Sequence, residues 1–168
     1  MIHKERLLEL FNEKPSVRIK ESIIALEEFE GFEDCFVDMT NFHKISVDTY
    51  FDKKPGSCFA CLGGASAMIR FGLDNEEVLG IESRFSLLRL ITNDRDAKNY
   101  NNYHQLICNY ENSLDSARVG NIKGMLEHMN IKTRDLKLDF HVTPYEDDIA
   151  KWKEEILEIA DYLELEGL

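Results

Sequence analysis

Cys58 and Cys61 are the residues whose type and spacing most invite chemistry. They lie in "GSCFACLGGASAM" (56–68), thirteen uncharged residues in a chain that is 31% charged. A helix beginning at Ser57 would put Cys58 in its first turn, where the macrodipole and free N–H groups stabilise a thiolate. His141 would then be a base and Asp139, on the same face of its strand, an orienting carboxylate. Alternatively, Cys58-Phe-Ala-Cys61 has the C-x-x-C spacing of a redox dithiol or half a zinc site. Zinc needs two further ligands; Cys35, Cys108 and His104 are available but form no second C-x-x-C or H-x-x-x-H pair. The third reading is packing. Gly63, Gly64, Ala65, Ser66 and Ala67 have little bulk, and free cysteine behaves as a small buried hydrophobe. A central helix over 58–71, ended by Gly72, accounts best for the absence of charge from Gly56 to Ile69.

Other motifs give less. "FHVTP" holds the H-x-T of two-histidine phosphoesterases only once, and Thr143 is better used as a helix cap. The Gly63–Gly64 pair lacks the surroundings of a phosphate loop. Tyr100, Tyr103 and Tyr110 either line the core or form an interface stripe.

Elements that would position these residues follow from periodicity. A first helix is expected over 3–12. Pro15 then interrupts, and Ser16 caps a second helix using Ile19, Ile23, Ile24 and Leu26. "ISVDTYF" (45–51) and "LKLDFHV" (136–142) alternate as half-buried strands, with "CFVDM" (35–39) a third candidate. Further helices are expected at 83–92, 97–110 and 114–129. "TPYE" (143–146) should open a last helix, about 144–165, with Thr143 as N-cap, Pro144 at N1 and Glu146 at N3. Ile149, Trp152, Ile156, Ile159 and Leu163 make its apolar stripe, to be covered by this chain's core or by a partner.

Charge bounds the partners. The 168-residue chain has a formal charge of −12, a field that repels phosphate backbones and anionic lipid and attracts basic surfaces. Two acidic segments supply much of it: Glu27, Glu28, Glu30, Glu33 and Asp34, and later Asp147, Asp148, Glu154, Glu155 and Glu158. Both are interface candidates. The charged, amphipathic N-terminal stretch is unlike a secretory signal, and no window is apolar enough for a membrane span. Four cysteines without such a signal point to reduced thiols in a cytoplasm.

Two resemblances bear on this pattern. "GSCFA" is similar to the "GSCWA" around the nucleophile of papain-like proteases, but Asp52 stands where that family has its oxyanion-hole Gln. "VDMTNF" (37–42) followed by "GSCFACLGGASA" (56–67) resembles a pattern of uncharacterised small bacterial and bacteriophage proteins. That pattern runs F-D-M-x-x-W, a spacer, then C-G-T-x-A-C-[IL]-x-G-x-A. Here Val37, Phe42 and Gly56 replace its first Phe, its Trp and its first Cys. The resemblance implies a phage-encoded or bacterial accessory protein and assigns no functional residue.

The combined expectation is one α+β domain over 1–168, helix-dominated, with a two- to three-stranded antiparallel sheet and a buried Gly/Ala/Cys-rich central helix. Functionally it is a non-enzymatic acidic interaction protein, phage- or mobile-element-encoded, that modulates a host protein, without cofactor or metal. It binds a basic protein partner, with no direct nucleic-acid or membrane binding. The alternative is a cysteine-dependent hydrolase or thiol enzyme using Cys58, His141 and Asp139.

Overall fold

The computed structural model describes residues 9, 12–48, 52–71, 97–118, 121–133, 142–143, 145 and 147–168. Helices α1 (Pro15–Glu30), α2 (Leu62–Phe71), α3 (Ala97–Arg118), α4 (Ile122–His128) and α5 (Ile149–Leu165) surround three short strands. The strands are β1 (Cys35–Val37), β2 (His43–Ile45) and β3 (Cys58–Ala60). This is a helix-dominated α+β fold. The expected helix at 83–92 lies outside the described residues, as do nearly all of the expected first helix and all but Val142 of the strand expected at 136–142.

The sheet is mixed rather than antiparallel. Its order is β1-β3-β2, with β3 parallel to β1 and antiparallel to β2. The chain leaves β1 through a turn built on Asp38. One carboxylate oxygen of Asp38 accepts from the Thr40 N–H at 2.9 Å, and the other accepts from the Asn41 amide at 2.7 Å. This turn arches over the end of β3, where the Asp38 N–H donates to the Ala60 carbonyl (3.0 Å) and the Cys61 N–H to the Asn41 carbonyl (2.6 Å). It sets β2 down on the far side of β3 from β1. The strand expected at 45–51 is therefore shifted towards the N-terminus: Ile45 ends β2, and Val47 is 86% exposed.

Two helix starts also differ from expectation. Residues 58–60 are the central strand, so the small-residue helix begins at Leu62 and Ser57 does not cap it. Sheet pairing on both sides satisfies the backbone at 58–60, and the first helical turn forms where that pairing ends. Cys61 is the junction: its carbonyl accepts from Ala65 N–H (2.8 Å) and its sulfur from Gly64 N–H (3.4 Å). The last helix starts at Ile149, capped by Asp148, whose carboxylate accepts from Lys151 N–H at 3.0 Å. Thr143 instead donates its backbone N–H to Glu155. At the other end of the chain Pro15 opens α1 at N1 after Lys14 rather than interrupting it, and the Ser16 hydroxyl bonds the Leu168 carbonyl.

The core supports the central-helix expectation. Leu62 to Met68 are all buried, and α2 packs against α1 and α3. Gly64 shows why bulk is excluded, since a Cβ there would stand 1.6 Å from the Phe42 carbonyl oxygen. The expected helices at 97–110 and 114–129 meet as one helix to Arg118, with the break at Asn121, whose side chain caps α4 by accepting from Gly124 N–H. Trp152, Ile156, Ile159 and Leu163 of α5 are buried within this chain, largely against α1, while Ile149 is exposed. Tyr110 is core, hydrogen-bonded to Ser66; the side chains of Tyr100 and Tyr103 lie outside the described set.

Candidate functional site

The sheet gathers the titratable side chains that sequence spacing left apart. Cys35 is the in-register neighbour of Cys58 across the parallel β1–β3 pair. On the other side Ile45 pairs with Cys58 and His43 with Ala60. Alternation puts residues 58 and 60 on one face of β3 and 43 and 45 on one face of β2. The His43 ring therefore reaches Cys58 diagonally, within the range a long side chain spans. Its Nε2 lies 3.0 Å from the Cys58 sulfur. Cys35 and Cys58, as ladder partners, project from the same face of the sheet, and each shifts the other's titration. The result is a chain of three groups, His43–Cys58–Cys35, running from the core to the sheet edge.

Burial sets its electrostatics. His43 is 2% exposed and Cys58 6%. Desolvation pushes the His43 imidazole down to about 4, so it is neutral at neutral pH. The Cys58 thiol is raised, first by its interaction with Cys35 and then by burial. Cys35, half-buried on edge strand β1, is lowered by its interaction with Cys58, with burial and the neighbouring Asp34 carboxylate opposing. The neutral imidazole meets the Cys58 sulfur through Nε2. Nδ1 is buried without a hydrogen-bond partner. The pair at Cys58 is thus a neutral thiol beside a neutral imidazole. A hydrolase of the papain type works from a thiolate–imidazolium pair open to substrate, and Cys58 has neither the charge nor the exposure.

His141 and Asp139, the expected base and orienting carboxylate, lie outside the described residues. Cys61 faces Gly64 in the first turn of α2. Cys108 contacts His104 one turn away on α3, with sulfur-to-ring-nitrogen distances of 3.6 and 3.8 Å. Among the described residues no three His, Cys, Asp or Glu side chains are grouped to hold a metal, and the four cysteines are free thiols. Sequence reasoning missed His43 and the Cys35–Cys58 pairing. One signal was available: β1 and β3 read Cys-Phe-Val and Cys-Phe-Ala. An in-register parallel pairing of those triplets aligns Cys with Cys and Phe with Phe, and the Phe36 and Phe59 ring centres lie 5.7 Å apart, tilted by 35°, on the opposite face.

A second region gathers charge. Helices α1 and α5 pack antiparallel, with Lys20 bridging Asp161 (2.7 Å) and Glu164 (2.6 Å) and Lys153 lying 3.4 Å from both Glu27 and Glu30. The two acidic segments thereby share one surface. Glu28, Glu33, Asp147, Glu154 and Glu158 are exposed. Other candidates have structural work: Asp34 pairs with Lys54 at 2.6 Å, Asp148 caps α5, and Glu155 receives Thr143 N–H.

No described helix is long and apolar enough to cross a membrane. Comparison with protein-family models, curated proteins and solved structures finds no match for this chain.

Proposed function

We propose that this protein is a non-enzymatic, acidic interaction protein whose α1–α5 face binds a basic surface on a protein partner. One observation carries the reading: acidic segments far apart in sequence converge on one surface, where each of the two lysines between them meets two carboxylates. The face therefore keeps an excess of negative charge. Such a field steers a cationic partner and discourages polyanions. In this reading the partner is a host protein that the chain modulates, and the chain comes from a phage or mobile element and acts in the bacterial cytoplasm.

The experiment is capture from bacterial lysate with the wild type and with a Glu27→Lys, Glu30→Lys, Glu154→Lys triple variant. A basic protein retained by the wild type, released by raised salt and absent from the variant supports the reading. Recovery of nothing salt-sensitive, or equal recovery by both chains, overturns it.

A further inference from the structure

We propose that Cys35 and Cys58 form a reversible thiol–disulfide pair, closed by hydroperoxides and reopened by small thiols, across the β1–β3 edge. The proposal is independent of the acidic face.

Backbone geometry comes first. Cys35 and Cys58 are direct partners in the parallel ladder. Adjacent strands lie about 4.8 Å apart, inside the roughly 4.4–6.8 Å between Cα atoms that a disulfide spans. Ladder partners project their side chains from the same face, so the two sulfurs face each other across the pair. Cys61, by contrast, is turned into the first turn of α2.

Access comes next. Cys35 lines a surface cavity of about 370 Å³ together with Lys53, Phe36, Phe59 and Tyr145. The Lys53 ammonium in that wall stands 4.2 Å from the Phe36 ring centre. Cys35 is the sulfur that can meet an oxidant, and Cys58 is sealed behind it. That division fits an attacking and a resolving cysteine. His43, whose Nε2 lies 3.0 Å from the Cys58 sulfur, acts as a positioning residue.

The chemistry balances with hydrogen peroxide as oxidant. The Cys35 thiolate attacks one peroxide oxygen. The O–O bond breaks, hydroxide leaves and is protonated to water, and Cys35 becomes a sulfenic acid. The Cys58 sulfur then attacks the Cys35 sulfur. An S–S bond forms, the S–O bond breaks, and the departing hydroxide takes the Cys58 proton as a second water. Two thiols are oxidised by two electrons, and one peroxide is reduced to two waters. Two equivalents of a small thiol such as glutathione reverse the process: the first opens the S–S bond as a mixed disulfide at the outer Cys35 and frees the Cys58 thiol, and the second removes it as glutathione disulfide and frees the Cys35 thiol.

The test uses the full chain, reduced and folded, with one equivalent of hydrogen peroxide. Expected are a loss of two hydrogens in intact mass, a Cys35–Cys58 crosslink in the non-reduced peptide map, and reversal by dithiothreitol. In Cys58→Ser, oxidation should stop at a Cys35 sulfenic acid trapped by dimedone; in Cys35→Ser, no crosslink should form. A Cys58–Cys61 crosslink, or four thiols still reduced in the folded protein, overturns the proposal, as does a Cys58→Ser chain that remains unmodified while retaining its circular dichroism spectrum. If either variant fails to fold, the wild-type peptide map decides alone.

Discussion

The three-stranded sheet and the α1–α5 seam use polar groups in opposite ways. In the sheet, His43, Cys58 and Asp38 are buried, few and neutral or fully hydrogen-bonded. Along the seam, polar groups are many and charged, with exposed carboxylates around two half-buried lysines. A buried polar atom that loses its partner costs roughly 1–3 kcal/mol, whereas an exposed ion pair contributes about 0–1 kcal/mol. Geometry in the sheet is thus tightly enforced by its hydrogen bonds. What holds the seam together is the apolar stripe beneath its charges.

That contrast can be broken or sharpened by mutation. The largest effect is expected under the seam: Trp152→Ala removes a fully buried indole that meets Tyr145 edge-on at 5.1 Å and should cost about 4 kcal/mol in denaturant unfolding. Next is Gly64→Ala, whose Cβ would collide with the Phe42 carbonyl oxygen; a loss of about 3 kcal/mol is expected for such overpacking. Gly63 is the control. A Cβ there meets Glu111 atoms only at 3.5 and 3.6 Å, so Gly63→Ala should be neutral or gain up to about 1 kcal/mol from helix propensity.

The third prediction concerns pH. His43 falls from 6.5 unfolded to about 4 folded, so between those values the unfolded chain binds the extra proton. Its contribution is fully present above pH 6.5 and is lost as pH falls towards 4, by an amount on the order of 3 kcal/mol. Urea midpoints across that window should show the loss, and His43→Gln should flatten it. The smallest effect belongs to the seam's surface. Lys153→Met should change stability by less than about 0.5 kcal/mol, and a larger loss would show that its ion pairs act in a drier setting than their exposure indicates.

Legibility in the sequence followed the same division. The α5 stripe was readable because a period near 3.6 is written in Trp152, Ile156, Ile159 and Leu163. The buried small-residue helix was readable because charge is absent there. Its start was not, since Cys58-Phe-Ala reads equally as strand or helix over three residues and only pairing with β1 and β2 decides. Thr143-Pro144-Tyr-Glu146 matches a capping box in type, yet the chain spends Asp148 as the cap instead. The Cys35–His43–Cys58 grouping was least accessible. The matching Cys-Phe-Val and Cys-Phe-Ala triplets hint at the β1–β3 pairing, but the placement of β2, and so of His43, on the far side of β3 is written in no local pattern.

Only Cys61 separates the last residue of β3 from the first of α2. With so short a splice, slack cannot be absorbed between the two, and fraying of the helix's opening turn must be felt at Cys58. Amide exchange at Cys58–Ala60 and at Ala65–Met68 should therefore rise and fall together as one cooperative unit.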